Sequence, residues 1–229
     1  MEEEPASPRQ PTVIGTGRLE AFSDAVLAVI ITIMVLGLAP PPGDDIDALK
    51  SLGSKFLIYV LSFTFIGIYW NNHHHLLRVT RRISGSVMWA NLHLLFWLSL
   101  VPVSTAWAGD HPLAPWPAAM YGFIGFMAGV AYSILTGTII NANKGTDIER
   151  AIGSDLKGKV SLAIYALGIL FASASRLIPF SPILSYIAYA SVSVMWFVPD
   201  RRLESDRPTT PAGVEQRTGR SAADDKPRR

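Results

Sequence analysis

The chain has 229 residues and a formal net charge of +2; 49% of the residues are hydrophobic and only 17% are charged. Soluble domains carry nearer about 25% charged residues, and here the apolar residues are blocked into long runs, which excludes a water-soluble class and points to a polytopic helical membrane protein. There is no cysteine, so disulfides, thiolate metal sites and a cysteine nucleophile are ruled out.

Residues 1–17 are acidic and polar, lack the basic region of a cleavable signal peptide, and read as a short disordered tail. The first apolar segment, Arg18 to Leu38, reads RLEAFSDAVLAVIITIMVLGL. At about 1.5 Å of rise per residue, some twenty residues cross a hydrocarbon core of about 30 Å. Arg18, Glu20, Ser23 and Asp24 fall in its first turns, where polar groups are expensive in a membrane and mark function by default. At about 100° per residue, Ala25, Val29, Thr32, Ile33 and Leu36 fall on one stripe, with Phe22 extending it. Ser23 and Asp24 flank that stripe and must meet groups on neighbouring helices.

Pro40-Pro41-Pro42-Gly43 stops this helix, and Asp44, Asp45 and Asp47 make an acidic loop. A second span runs from about Ser51 to Trp70 and exits into Asn71-Asn72-His73-His74-His75, followed by Arg78, Arg81 and Arg82. The third, about Ser86 to Trp107, carries Asn91 and His93 near its start and Pro102 near its end. The fourth, about Ala118 to Ile140, has Gly122, Gly125 and Gly129 at a spacing that lets helices approach closely. A polar connection from Asn141 to Lys159 precedes a fifth span, Val160 to Ile178. Pro179 and Pro182 break the chain before a shorter sixth, Ile183 to Val198. Residues 199–229 read as a second disordered tail, so residues 18–198 form one membrane domain.

Six spans put both termini on one side. Basic residues collect in the connections after the second and fourth spans and at Arg201-Arg202, which makes that side cytoplasmic. Trp107 and Trp116 at the outer ends, with Trp70, Trp89 and Trp196 at the inner ends, fit interfacial belts.

Arg18, Ser23, Asp24, Trp70, Asn71, Asn72, the three histidines, Asn91 and His93 share a depth. They can join in one hydrogen-bond network that fixes the first helix, or each can be solvated by headgroups and water. Consecutive histidines fan out around a helix and cannot share one tetrahedral ion, and neither metal-binding helical spacing of histidine is present; no metal is expected. The stripe on the first helix has two readings as well. It is a packing face, or, in a symmetric oligomer, it stacks rings of Val29, Ile33 and Leu36 that gate by dewetting, with Thr32 hydroxyls between them.

Three motifs stand together in the first half of the chain. Arg18-x-x-x-Phe22-Ser23-Asp24 opens the first helix, Tyr69-Trp70-x-Asn72-His73-His74 closes the second, and Asn91-Leu92 in the third is followed by Ser99-Leu100-x-Pro102. Over residues 18 to about 105 they resemble the transmembrane protein 175 family, which comprises the endolysosomal potassium channel and its prokaryotic relatives. The resemblance implies a potassium-selective channel in a prokaryotic plasma membrane, homotetrameric, needing no cofactor, with the first helix lining the pore. It places the constrictions on Val29, Ile33 and Leu36 and the hydroxyl layer on Thr32. It links Arg18, Phe22, Ser23 and Asp24 with Trp70, His73, His74 and Asn91. The first constriction is usually a larger Ile or Leu, so Val29 sets a wider ring. The expected partners are potassium ions, the bilayer and further copies of the chain, with no nucleic acid.

Two rival readings use the same residues. A proton-coupled or small-solute transporter would titrate Asp24 and the histidines, although broken helices and internal repeats are not evident. A membrane enzyme would hold a metal on the histidine cluster.

Overall fold

The computed structural model describes residues 16–41, 43–145, 156–178 and 180–197, and among these it is all helical. Expectations for the two tails, and for Pro42, Arg150, Pro179, Val198 and Arg201-Arg202, lie outside the described residues.

Helix α1 covers Thr16–Val35. Pro40 and Gly37 deny it further turns, and the chain leaves through three tight hydrogen bonds: Leu36 to Ile33, Gly37 to Met34 and Leu38 to Val35. Leu36, expected on the helix, therefore sits in the turn beyond its last residue. The acidic loop is partly helical. Asp45 accepts a hydrogen bond from the Ala48 amide at 2.7 Å and so caps α2, Ile46–Ser51, as a short acidic side chain does for the unpaired amides of a first turn.

Helix α3, Gly53–Val79, runs nine residues beyond Trp70, the expected end of its span. The Asn-Asn-His-His-His stretch is thus helical, and its side chains stay on a rigid element. Thr80, with an extended backbone, ends it. Helices α4, Gly85–Ser99, and α5, Val101–Asp110, share one span broken at Leu100. The cause is Pro102, which has no N–H to give and crowds the preceding turn. Helix α6 covers Pro115–Ala142. Helix α7, Leu156–Ser173, ends in a 3₁₀ turn at Ala174–Arg176, and α8 covers Ser181–Phe197.

Four segments are long and apolar enough to cross a membrane: α3, α4 with α5, α6 and α7. Helix α1 has 20 residues but carries Arg18, Glu20 and Asp24, and α8 has only 17. Helix α6 packs against α4, α5, α7 and α8, whereas α1 lies against α3, α4 and α5.

The glycines of α6 do more than admit a neighbouring backbone; they are sockets for aromatic rings. A methyl group at Gly122 or at Gly168 of α7 would overlap the Tyr189 ring, and one at Gly125 would lie 2.7 Å from Tyr165. Tyr165 and Tyr189 stack at 5.5 Å, and the Tyr189 hydroxyl donates to the Ala118 carbonyl at 3.2 Å. This tyrosine layer ties α6, α7 and α8 into the wall on which the other helices rest.

Candidate functional site

The buried and exposed positions of α1 separate onto two faces, each mainly apolar with one hydroxyl. Leu19, Ser23, Leu27, Ile30 and Met34 are buried against the bundle. Their spacing of three or four residues is that of one helical stripe. Opposite them, Phe22, Val29 and Ile33 are each about half exposed, and Leu36 is 78% exposed. Thr32 is also exposed, and its hydroxyl donates to the Val29 carbonyl at 2.9 Å. That bond uses the only proton of the hydroxyl, so the oxygen presents lone pairs outward.

Behind the N-terminal half of α1, the shared-depth residues of three helices come together. The Ser23 hydroxyl donates to the Leu19 carbonyl at 2.8 Å, and its oxygen accepts from Asn91 Nδ2 at 2.9 Å. Asn91 Oδ1 lies 2.7 Å from His73 Nε2. Because that amide oxygen can only accept, the arrangement assigns the Nε2–H tautomer to His73. Ser23 and Asn91 are fully buried and His73 is 1% exposed. A buried polar group without a partner costs about 1–3 kcal/mol, so this chain holds α1, α3 and α4 to one register. His73 Nδ1, on the other side of the ring, has no hydrogen-bond partner among the described residues.

Two further contacts join α1 and α3 on either side of this hydrogen-bond chain. Trp70 Nε1 donates to Asp24 Oδ1 at 3.1 Å, and His74 Nδ1 pairs with Glu20 Oε1 at 2.7 Å. The Trp70 and His74 rings stack at 6.2 Å. Glu20–Asp24 and Trp70–His74 are both four apart, so two antiparallel helices meet as two rungs of a ladder.

Of the residues expected in the network, Ser23, Asp24, Trp70, His73, His74 and Asn91 are brought together. Arg18 is exposed with no hydrogen bond or ion pair among the described residues, and Phe22 faces outward with Val29. Asn72 turns back to the Ile68 carbonyl, and His93 accepts from Trp97 Nε1 one turn away at 3.0 Å, so neither joins. His75 is exposed. Among the described residues no group of three or more metal-ligating side chains is placed to hold an ion.

Sequence reasoning marked Glu20 among the costly polar groups but left it out of the network, although its spacing from Asp24 was the available signal. It also passed over a second polar node toward the other end of α1. Ser62 Oγ donates to the Ile58 carbonyl, and its oxygen meets Tyr121 at 2.9 Å and Thr105 at 2.7 Å. Thr105 also lies 3.8 Å from Met34 Sδ. This node joins α3, α5 and α6 beneath the C-terminal turn of α1; single hydroxyls in apolar segments gave no sign of it.

Residues 18–102 match the family described as "Endosomal/lysosomal potassium channel TMEM175". A potassium channel of Chryseobacterium sp. (strain P1-3) is 45% identical over 189 residues, covering 82% of this chain and 95% of the relative. A potassium channel of Streptomyces collinus is 37% identical over 100 residues, covering 42% of this chain and 48% of the relative. The crystal structure of a lysosomal potassium-selective channel TMEM175 homolog from Chamaesiphon minutus superposes with a TM-score of 0.68 at 25% identity, covering 82% of this chain and 97% of that one.

Proposed function

The chain belongs to the TMEM175 family of potassium channels, and from that premise we propose that α1 lines the conducting path, with the residues of its exposed stripe as gate and filter. The protein is a passive potassium channel of the membrane, not an enzyme, and requires no cofactor. The observation that carries the finer reading is the split of α1: one face held by Ser23–Asn91–His73, the other an open row of Phe22, Val29, Thr32, Ile33 and Leu36.

Four copies around an axis would cover that row and convert it into rings. Rings of Val29, Ile33 and Leu36 exclude water when narrow and so limit leak by dewetting. Between them, Thr32 oxygens, whose protons are engaged by the Val29 carbonyls, replace part of the hydration shell of a cation and offer nothing to an anion. In this reading α1 and α8 complete six spans per subunit. Both termini face the cytoplasm of a plasma membrane, because the exposed Arg78, Arg81, Arg82, Lys144 and Lys159 lie at the end of the bundle where α1 begins. The Asp24–Trp70 and Glu20–His74 pairs then brace the inner mouth.

The test is flux from liposomes holding purified protein, under potassium and sodium gradients, for wild type, Thr32→Ala and Leu36→Ala. Potassium should pass faster than sodium. Leu36→Ala should raise potassium flux several-fold, and Thr32→Ala should lower the potassium-to-sodium ratio. Unchanged flux and selectivity in both variants would remove α1 from the pore; absence of cation flux in every sample would overturn the channel itself.

A further inference from the structure

Helix α5 is the seat of the last turn of α1. The buried Met34 lies with its sulfur 3.8 Å from Thr105 Oγ1. Three residues on, a methyl group at Gly37 would meet the Ala106 Cβ at 3.6 Å, so the backbone beyond α1 rests on the same helix. Leu36, between these two contacts, is exposed. A cavity of about 10 Å³ remains at the seat, against Met34, Gly37, Tyr59 and Thr105, a space for one water at most. The turn is thus not locked by close packing of its own, and its place follows the place of α5.

That place is not inherited from α4. The break at Leu100, which Pro102 enforces, separates α5 from the half-span that Asn91 ties to Ser23. Helix α5 is held from α3 instead. A methyl group on Gly109 would lie 3.3 Å from Lys55 Cα, and Lys55 pairs with Asp110; both partners are partly exposed, and such a pair contributes little. The buried link is the hydroxyl node. With the Ser62 proton on the Ile58 carbonyl at 2.9 Å, Tyr121 must donate to the Ser62 oxygen at 2.9 Å, and Thr105 donates to it at 2.7 Å. Thr105 has no second proton for Met34, whose sulfur is a weak acceptor, and meets it as a packing contact. One oxygen on α3 therefore holds α5 by one lone pair and α6 by the other.

We infer that Thr105 is a positioning residue for the outer constriction: its hydrogen bond to Ser62 fixes α5 and, through Met34 and Gly37, the turn that carries Leu36. The inference rests on the reading of α1 as the pore helix. A ring of leucines excludes water only while its members keep their radius. Without the Thr105 bond, α5 is held to α3 by packing and the partly exposed Lys55–Asp110 pair, the turn gains freedom, and the Leu36 ring wets more often. Loss of one neutral hydrogen bond of ordinary net strength shifts such an equilibrium about five-fold. Thr32 lies one turn further in, on the regular part of the helix, so selectivity is spared.

The experiment is potassium and sodium flux from liposomes holding the full-length protein. The samples are wild type, Thr105→Val, Thr105→Ser, Tyr121→Phe, Leu36→Ala and the Thr105→Val/Leu36→Ala double variant. Thr105→Val keeps the shape and orphans no buried group, because Ser62 still has Ile58 and Tyr121. It should raise potassium flux about five-fold at an unchanged potassium-to-sodium ratio, and add nothing in the Leu36→Ala background. Thr105→Ser, which keeps the donor, should match wild type. Tyr121→Phe removes a bond of the same kind from the same oxygen but leaves α5 held, so it too should match wild type. Thr105→Val at wild-type flux while Leu36→Ala leaks overturns the positioning role and leaves the pore helix standing; Leu36→Ala at wild-type flux overturns both. A Tyr121→Phe or Thr105→Ser protein as leaky as Thr105→Val, or full additivity with Leu36→Ala, also overturns the role. Should Thr105→Val fail to fold, Thr105→Cys, a far weaker donor of the serine's shape, replaces it with the same expectations.

Discussion

Replacing Asn91 by leucine cuts the hydrogen-bond chain behind α1 at its middle link. The two side chains are close in size, so overpacking adds little, and the effect is electrostatic. Asn91 is fully buried and joins Ser23 at 2.9 Å and His73 at 2.7 Å. Interhelical side-chain hydrogen bonds within membranes are each worth about 0.6 kcal/mol, rising to about 1.7. Ser23 keeps its bond to Leu19, so only the His73 N–H is orphaned, and a buried donor left without a partner costs about 1–3 kcal/mol. At the lower ends of these ranges the sum is about 2 kcal/mol, which for a protein of this size lowers the melting temperature by about 4–8 °C. Thermal melts in detergent of wild type, Asn91→Leu, Ser23→Ala and the double variant measure it. Once Asn91 is gone, Ser23→Ala removes nothing that reaches α4, so the double variant should be more stable than the sum of the singles requires, by about 0.5–1 kcal/mol. Additivity within about 0.3 kcal/mol, or an Asn91→Leu protein melting with wild type, would refute the reasoning. Selectivity is a second readout. Neither residue faces the stripe that carries Thr32, so the potassium-to-sodium ratio should survive even where total flux changes.

Two further substitutions probe the framework. Gly122→Ala drives a methyl group into the Tyr189 ring; overpacking of this kind costs about 1–3 kcal/mol, and the melt should fall accordingly, with Tyr189→Leu in the same chain restoring most of it. Asn143→Ala frees the Arg81 and Arg82 amides, so hydrogen exchange at those two positions should quicken about ten-fold, as loss of about 1.4 kcal/mol of local protection requires. The helices on either side should keep their rates.

Much of α1 was legible because its constraints are periodic. A buried face and an exposed face at 3.6-residue spacing announce themselves in any helix that meets a bundle on one side, and Ser23 and Asp24 interrupt an apolar run where interruption is costly. Depth counting then paired them with Trp70, His73 and Asn91, because antiparallel helices of similar length place such groups level. The misses arise where depth alone does not discriminate. Arg18 sits one and a half turns before Ser23 and passes beyond the last rung of the ladder, while Glu20, inside it, meets His74. Leu36 obeyed the wheel but not the chain: Gly37 and Pro40 end the helix at Val35, and the wheel carries no information on where a helix stops. The glycines of α6 were read by spacing, which reports that something approaches; that the visitor is a tyrosine from another helix depends on packing no local pattern encodes.

The two polar nodes together explain why the outward face of α1 is the one it is. Ser23 is fixed from α4 near one end, and Met34 meets Thr105 of the Ser62–Tyr121 node near the other. Eleven positions separate Ser23 from Met34, close to three full turns at 3.6 residues each, so both anchors lie on the same side of the helix. A rotation of one residue, about 100°, would swing Ser23 off Asn91 and Met34 off Thr105 together, leaving the Asn91 amide without its acceptor. It would also carry Phe22, Val29 and Thr32 together away from the side they now present. An apolar face alone tolerates such slippage, because one aliphatic side chain buries much like another; a hydroxyl, an amide and an imidazole in series do not. The polar groups behind α1 thus specify the register that the apolar groups in front of it require.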